Sequence, residues 1–240
     1  MLRKKIAVAF QHEKFRHRGH EIARIETLSD AVFAFSVSLL VASLEVPQTF
    51  EELRTIVRGA LPFFATVALL FLFWYQQYMF FRRYGLNDFL TILLNLMYLG
   101  IILFYVYPLK FLFSILLTSW TGINLFPRAT EKGLIVLTQN DFPELIVLFS
   151  TGYFIIWMII YFMYKRAFYF ARQLELNHYE LLFTHKEIKG ALWNAMVGLL
   201  AIILAWAGTE RLAGICYLSI PVILIINDLS FKHQVKKMVK

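Results

Sequence analysis

Six long runs of apolar residues dominate the chain, and charges, glycine or proline separate each run from the next. A helix needs about 20 mostly apolar residues to cross a bilayer. The sequence therefore predicts six transmembrane helices, near residues 28–46, 60–81, 89–117, 143–164, 190–207 and 212–230. Without a break, the last two would form one helix of about 40 residues, so we expect a tight turn at Gly208.

The third run, 89–117, is longer than a bilayer requires. Its 29 residues extend about 43 Å as a helix, against a hydrocarbon core of about 30 Å. Pro108 lacks a backbone donor, which predicts a bend and lets Lys110 reach the outer surface. Beyond this run the sequence predicts one sizeable external loop, 118–142, and later a charged, partly helical connection, 165–189.

Composition places the chain among membrane proteins. Of its 240 residues 59% are hydrophobic, 24 of them are Phe, and the mean hydropathy is +0.61. The net charge of +8 could suggest a nucleic-acid partner, but 18 of the 24 Lys and Arg lie on one side of the predicted helices. This asymmetry is explained by the orientation of the chain in the membrane and not by nucleic-acid binding. It predicts that both termini lie in the cytoplasm. We expect a basic cytoplasmic segment (1–27), a transmembrane domain (28–230) and a basic cytoplasmic tail (231–240).

The remaining composition argues against several classes of site. The single cysteine, Cys216, lies in an apolar run, so neither a disulfide within the chain nor a multi-cysteine metal site is expected. No catalytic motif or phosphate-binding glycine loop appears at a defensible spacing, so we expect neither an enzyme nor a cofactor. The first 23 residues are polar and basic and lack the apolar core of a cleaved signal peptide. We expect the first helix to act as its own insertion signal.

A cluster of histidines and glutamates near the N-terminus leaves a metal site open as an alternative. His17 and Glu21 would share one face if this stretch were helical, and His12, Glu13 and His20 lie nearby. No second ligand pair is spaced to close such a site. We favour a solvated amphipathic cytoplasmic segment.

The first apolar run opens with charges that a lipid-facing helix has little reason to carry. Charges within a membrane span usually face a bundle interior, pair with one another or line a pathway. Here Arg24 and Asp30 flank Leu28 and Ser29 at the end of the run, where an interfacial pair that anchors the helix is the simpler interpretation. The spacing, however, resembles the Arg-x-x-x-Phe-Ser-Asp signature of the transmembrane protein 175 family of potassium channels, with Leu28 in place of Phe.

Two later stretches carry the same resemblance. Trp74 to Gln77 resembles the family's Trp-x-x-His stretch, with Gln77 at the His position. A Trp at such a place is more often an interfacial or packing residue than a gating contact. Leu94-Asn95-Leu96, followed by Pro108, resembles the third-helix Leu-Asn-Leu and the later proline. The motifs cover roughly residues 20 to 110. The family's His is titratable and Gln77 is not, and this departure weakens any pH-sensing role at this position.

The resemblance implies a fold, an assembly and a permeant ion. Family members with one six-helix repeat assemble as homotetramers around a central pore in the cell membrane, and animal members with two repeats form dimers. The Arg24 motif has no second copy in residues 120–240, so this chain resembles the one-repeat form. The implied function is a potassium-permeable leak channel. Some members also pass protons.

The first helix presents two stripes. One reads Arg24, Leu28, Ala31, Phe35, Ser38, Ala42 and Glu45, and the other carries Ser29, Ser36 and Ser43 at a spacing of seven. Small residues let helices approach closely, so the serine stripe predicts a packing face. In the family the first helix lines the pore and a bulky apolar residue forms its narrowest point, which the resemblance places at Phe35. Ser38, Leu39 and Ala42 follow toward the outside.

A hydrogen-bond network is expected at the cytoplasmic mouth of this path. Its members would be Arg24, Ser29, Asp30, Gln77 and Asn95, because an unpaired Arg at a buried helix end would be costly. The family usually has Ile or Leu where this chain has Phe35, so the ring could narrow or close the path. The alternative is a non-conducting membrane scaffold or partner-binding protein of the same fold. A transporter is disfavoured because no ionisable residue accompanies Pro221 at the midplane.

Overall fold

A computed structural model describes residues 15–19, 21–42, 46–126, 130, 132–138 and 141–238. In these ranges all regular secondary structure is helical. The helices are α1 (Arg24–Ala42), α2 (Phe50–Arg58), α3 (Ala60–Tyr84), α4 (Phe89–Thr121), α5 (Asp141–Tyr169), α6 (His178–Trp206), α7 (Glu210–Ile215) and α8 (Ser219–Met238), with a 3-10 turn at Cys216–Leu218.

Six segments are long and apolar enough to cross a membrane. They are α1, α3, α4, α5, α6 and the stretch Leu212–Lys237, which spans the 3-10 turn and most of α8. The predicted six-helix architecture is therefore confirmed. The chain reverses at Gly208, whose φ of 72° lies in the left-handed region that glycine adopts without strain. The expected break between the fifth and sixth spans is confirmed.

The ends of the helices do not coincide with the ends of the apolar runs, because capping groups and not hydropathy determine where a helix begins. α6 begins at His178, inside the charged connection. The side chain of Asn177 accepts a hydrogen bond from the backbone amide of Glu180, and the Glu180 carboxylate accepts one from the backbone amide of Asn177. This reciprocal pair satisfies backbone donors that a helix start leaves free. The same connection therefore contributes about three extra helical turns to α6. α1 likewise begins at Arg24, ahead of the apolar run.

α4 continues as a helix through Pro108 to Thr121. Its 33 residues extend about 50 Å at 1.5 Å per residue. A hydrocarbon layer of about 30 Å, counted from Phe89, would end close to Lys110. The last turns of α4 thus project beyond that layer, and the extra length is accommodated without interrupting the helix.

The short helix α2 was not anticipated from the apolar runs. Phe50, Leu53 and Val57 repeat at helical spacing and are exposed, and Glu51, Glu52, Arg54 and Arg58 occupy other positions of the same helix. A short helix with an apolar stripe and charged flanks is typical of one that lies in the plane of a membrane interface. Its length of nine residues keeps it well below the span criterion, which is why that criterion missed it.

α4 lies at the centre of the packed bundle, between α1 and α3 on one side and α5 on the other. α5 and α6 form the most extensive helix pair. Small residues of α6 allow this close approach, and at Gly198 an added Cβ would lie 3.2 Å from the ring of Tyr153 and 3.3 Å from the backbone of Phe154. α8 is much less covered by protein than the other spans.

The segment 15–19 docks on the C-terminal end of α3 and the N-terminal part of α6. Phe15 is buried and makes edge-on ring contacts with Tyr84 and Phe183, at centroid distances of 5.5 and 5.4 Å. The Gly19 amide donates to the Arg82 carbonyl at 3.1 Å. A Cβ at Gly19 would lie 2.6 Å from the Phe81 carbonyl oxygen, so this close approach requires glycine.

This docked segment corrects the expectation for the N-terminal histidine cluster. Residues 16–19, 22 and 23 have no regular secondary structure, so His17 and Glu21 do not share a helix face. His12, Glu13 and His20 lie outside the described residues. Within the described ranges, no three His, Cys, Asp or Glu side chains are grouped as a metal site would require.

A buried carboxylate holds the docked segment in place. The side chain of Glu180 is fully buried and accepts from the backbone amide of Arg16 at 2.7 Å and from Nη2 of Arg18 at 2.7 Å. The Arg16 guanidinium also reaches Glu180, and it donates to the main-chain carbonyl of Glu175. The chain is thereby fixed a few residues before α1 begins.

A second ion pair joins the start of α4 to the end of α5. Asp88 caps α4 by accepting from the Thr91 amide and accepts from Nη2 of Arg166 at 2.8 Å. Burial alone would raise the pKa of Asp88, but the hydrogen bonds from Thr91 and Arg166 outweigh it and hold the pKa below its ordinary value. Both side chains are 26% exposed, so solvent weakens the pair.

Replacing Asp88 with asparagine is expected to lower the free energy of unfolding at neutral pH by about 1 kcal/mol, because Asn still caps a helix but carries no charge for Arg166. A depressed carboxylate pKa stabilises the fold above the unfolded-state pKa of about 3.9, and this contribution is lost as the pH falls through the lower folded-state pKa. The difference in thermal midpoint between wild type and Asp88→Asn should therefore begin to shrink as the pH falls below about 4 and vanish only below the folded-state pKa. A difference that persists at low pH would contradict the assignment.

Candidate functional site

α1 has one face against the rest of the chain and one face that the chain leaves open. Its buried residues follow helical spacing against α3 and α4 and are Ile25, Ser29, Phe33, Ser36 and Leu40. Ser29 and Ser36 are fully buried, and their hydroxyls donate back to the carbonyls of Ile25 and Val32. The predicted serine stripe is therefore a packing face over Ser29 and Ser36, and Ser43 lies outside the described residues.

A buried polar chain crosses three helices at the N-terminal half of this face. The Asn95 amide on α4 donates to Ser29 Oγ on α1 at 2.9 Å, and the Gln77 amide on α3 donates to Asn95 Oδ1 at 3.1 Å. All three side chains are buried. Each of these hydrogen bonds is shielded from water and fixes the lateral position of α1, because an unpaired amide there would be costly.

The two charges of the opening motif lie apart from this buried chain. Asp30 is on the exposed side of α1 and accepts from Trp74 Nε1 at 2.7 Å, and the Trp74 ring stacks on Tyr78 at a centroid distance of 5.3 Å. Arg24 is exposed at the first residue of α1. The structure thus brings Ser29, Gln77 and Asn95 together, and within one chain it joins Asp30 to Trp74 and not to Arg24.

The open face of α1 carries the other predicted stripe. Arg24, Leu28, Ala31, Phe35, Ser38 and Ala42 are all exposed, and Leu39 is half-buried at the edge. Phe35 is 56% exposed and lies about 16 Å along the helix from Arg24, near mid-membrane depth. Glu45, which would continue the stripe, lies outside the described residues.

The hydroxyl oxygen of Ser38 is free to accept a hydrogen bond or to contact a cation. Its Oγ donates to the Ala34 carbonyl of the preceding turn at 3.0 Å. A hydroxyl that has committed its proton to its own helix offers lone pairs to the surroundings. The exposed side chain of Ser38 can therefore replace part of the hydration shell of a cation.

The open face of α1 differs in composition from the exposed faces of other spans. α8 exposes large aliphatic side chains, which are Val222, Leu224, Ile225, Ile226 and Leu229. Such a surface is suited to acyl chains, whereas α1 exposes Ala31, Ala34, Ser38 and Ala42 with only scattered bulky groups. Small and polar residues on a membrane helix favour contact with other helices or with a water-filled path over contact with lipid.

Sequence reasoning missed two contacts at this site. The sequence predicted Trp74 to be an interfacial or motif residue. Its hydrogen bond to Asp30 was missed because the two residues are 44 positions apart in the chain. The docking of residues 15–19 beside the start of α1 was also not foreseen. The arginines that precede α1 indicated that this segment needs an acidic partner. The sequence could not identify the partner as Glu180, which is more than 160 residues further along the chain.

Replacing Asn95 with leucine is expected to lower the free energy of unfolding by about 1–3 kcal/mol, because it leaves the buried Gln77 amide without its acceptor. The matched variant Gln77→Leu/Asn95→Leu removes both partners, and loss of both costs less than loss of one. Thermal unfolding in detergent should rank wild type above the double variant and the double variant above Asn95→Leu. The reverse order of the two variants would show that the Gln77 to Asn95 hydrogen bond does not stabilise the bundle.

Comparison with known proteins gives consistent matches. The family model described as "Endosomal/lysosomal potassium channel TMEM175" matches residues 24–105. A protein of Marivirga tractuosa named "Potassium channel" is 38% identical over 227 residues, which cover 92% of each chain. These matches span the helices that carry the buried polar chain and the open face of α1.

Solved structures show the same fold. A crystal structure of a variant of the potassium channel MtTMEM175, bound to a nanobody-MBP fusion protein, superposes with a TM-score of 0.80 at 36% identity and covers 92% of this chain and 98% of that one. A lysosomal potassium-selective channel TMEM175 homolog from Chamaesiphon minutus superposes with a TM-score of 0.54 at 18% identity and covers 85% and 96% of the two chains. At 18% identity the second match supports the fold alone.

Proposed function

The chain belongs to the TMEM175 family of potassium channels, and we propose that it conducts potassium ions across a cell membrane along a path lined by the open face of α1. The observation that carries the placement of the path is the contrast between the small and polar residues exposed on α1 and the large aliphatic residues exposed on α8. The relatives that match over most of the chain are named potassium channels. The proposal includes no enzymatic activity and no cofactor.

The path requires several copies of the chain. Each chain supplies one α1, and one helix cannot enclose a water-filled axis. A single six-helix repeat per chain fits a homotetramer in which four α1 helices surround the axis. The buried serine face of α1 then packs within its own chain, and the open face turns to the axis.

Phe35 forms the constriction in this proposal. Four rings at one level on a symmetry axis exclude water and oppose ion passage by dewetting. Ser38 and Ala42 lie on the same face, about one and two turns further outward, where the path is wider because their side chains are small. The Ser38 lone pairs favour a cation over an anion. The proposal leaves proton permeation as a property to be measured beside potassium flux.

Arg24 and Asp30 form the cytoplasmic mouth in this proposal. Both are exposed in a single chain, so they are placed to pair between neighbouring copies around the axis. The excess of Lys and Arg on the same side as the two termini orients the termini toward the cytoplasm. The Ser29, Asn95 and Gln77 chain supports the mouth from behind by fixing α1 against α3 and α4.

Potassium flux from liposomes that contain the purified protein tests the proposal. The expected result is potassium efflux that scales with the amount of protein and is absent from protein-free liposomes. Measurements with sodium and with protons in the same preparation establish selectivity. A correctly folded preparation that passes no potassium, with or without the Phe35 ring, would overturn the proposal.

The alternative function is a non-conducting scaffold or partner-binding protein that keeps the fold while Phe35 closes the path. Both functions require Ser29 and Ser36 for packing. Only the channel requires small residues at Ser38 and Ala42, so bulky substitutions at these two positions separate the alternatives. A scaffold tolerates them, whereas the channel loses flux.

A further inference from the structure

A groove opens on the half of the bundle opposite the docked segment 15–19, away from α1. It lies between α4 and α5 and ends at the turn that follows α6, and its volume is about 720 Å³. Most of its walls are apolar, with Ile101 and Phe104 on α4 and Val147 and Ile155 on α5. The open face of α1 does not contribute to it, so the groove is separate from the proposed ion path.

The floor of the groove depends on a glycine. Tyr105 on α4 packs directly over Gly152 on α5, where an added Cβ would lie 2.1 Å from Tyr105 Cε2. Because Gly152 has no side chain, the ring lies against the backbone of α5. Both residues line the groove, whose inner part therefore has a rigid aromatic surface.

The length of the groove matches one leaflet of a bilayer. Its lining on α5 runs from Pro143 to Ile155, which is about 18 Å at 1.5 Å per residue. One leaflet contributes about half of the 30 Å hydrocarbon core. An acyl chain of the outer leaflet can therefore lie along the groove from its mouth to mid-membrane depth.

The mouth of the groove has the chemistry to bind an ammonium group. Glu144 in the first turn of α5 and Trp206 at the end of α6 both line it, and both are exposed. A carboxylate attracts an ammonium group electrostatically, and an indole face adds a cation–π contact. Neither group favours an anionic headgroup.

The geometry points to a binding site for one phospholipid with an ammonium headgroup, whose acyl chain fills the groove and whose ammonium lies between Glu144 and Trp206. Phosphatidylethanolamine is the probe of this chemistry, and phosphatidylglycerol with identical acyl chains is its matched control. The inference is independent of ion conduction. It rests on the shape of the groove and on the charge at its mouth.

Native mass spectrometry of the purified protein, titrated with each lipid, tests the site. Wild type is expected to bind phosphatidylethanolamine about tenfold more tightly than phosphatidylglycerol, with one site per chain. Glu144→Gln should remove this preference while leaving the protein folded, because Glu144 is exposed. Thr151→Trp and Leu148→Trp fill the groove from α5 and should weaken binding of both lipids about tenfold.

Val222→Trp adds the same bulk to the exposed face of α8 and serves as the control, with lipid binding expected to stay at the wild-type level. Equal affinity of wild type for the two lipids would overturn the headgroup assignment. Unchanged binding in both groove-filling variants would overturn the site itself. Disulfide formation between copies that each carry Leu148→Cys in a Cys216→Ser chain would show that a second copy covers the groove, and would also overturn it.

Discussion

Replacing Phe35 with alanine is expected to raise potassium flux through the reconstituted protein by about tenfold, which corresponds to a barrier lower by about 1.4 kcal/mol. The ring is 56% exposed on the open face of α1 and lies near mid-membrane depth. If four such rings narrow the path and exclude water, their removal widens and wets it. Flux of potassium from liposomes at matched protein density is the measurement.

Phe71→Ala is the matched control for this experiment. Phe71 is the same residue type with nearly the same exposure, 55%, but it lies on α3. Its removal should leave flux at the wild-type level. If both variants change flux equally, or if neither does, Phe35 is not the constriction.

Replacing Glu180 with glutamine is expected to lower the free energy of unfolding by about 3 kcal/mol, because removal of one partner of a buried ion pair leaves the other charge uncompensated. The Glu180 side chain is fully buried, and Arg18, its main partner, is only 17% exposed. At about 2–4 °C per kcal/mol for a chain of this size, the midpoint of thermal unfolding should fall by about 6–12 °C.

Glu175→Gln provides the control, since Glu175 contacts Arg16 and Arg18 through its main-chain carbonyl, which the substitution retains. An exposed ion pair contributes about 0–1 kcal/mol, so this variant should unfold within about 4 °C of wild type. The thermal midpoint of Arg16→Ala should lie between those of Glu180→Gln and Glu175→Gln, because Arg16 is 55% exposed and its ion pair is weakened by solvent. A midpoint for Glu180→Gln that matches that of Glu175→Gln would show that Glu180 does not hold the docked segment.

The spans were predictable from the sequence because membrane insertion depends on hydropathy and length, which are local properties. The turn at Gly208 followed from the same reasoning, since a helix through it would have been too long for a bilayer. The exact starts of α1 and α6 were not predictable from hydropathy, because caps and charged residues set them. α2 was missed because nine residues cannot satisfy a criterion based on membrane thickness.

The two faces of α1 were also predictable, since helical spacing alone separates Ser29 and Ser36 from Phe35 and Ser38. Contacts between distant parts of the chain were less accessible. The bonds of Asn95 to Ser29 and Gln77 join three of the five residues of the expected network, and spacing alone could not have selected them. The pairing of Arg18 with Glu180 depends on the tertiary arrangement of α3, α6 and the segment 15–19, which no local pattern encodes.

The proposed ion path requires that the open face of α1 borders water. In a chain that carries Cys216→Ser, the thiol introduced by Ser38→Cys can be exposed to a charged, membrane-impermeant thiol reagent while potassium flux is recorded. The account predicts that the reagent modifies this thiol and blocks flux, and that Val222→Cys on α8 stays unmodified. A thiol at position 38 that stays unmodified while the protein conducts, or one whose modification leaves flux unchanged, would contradict the account.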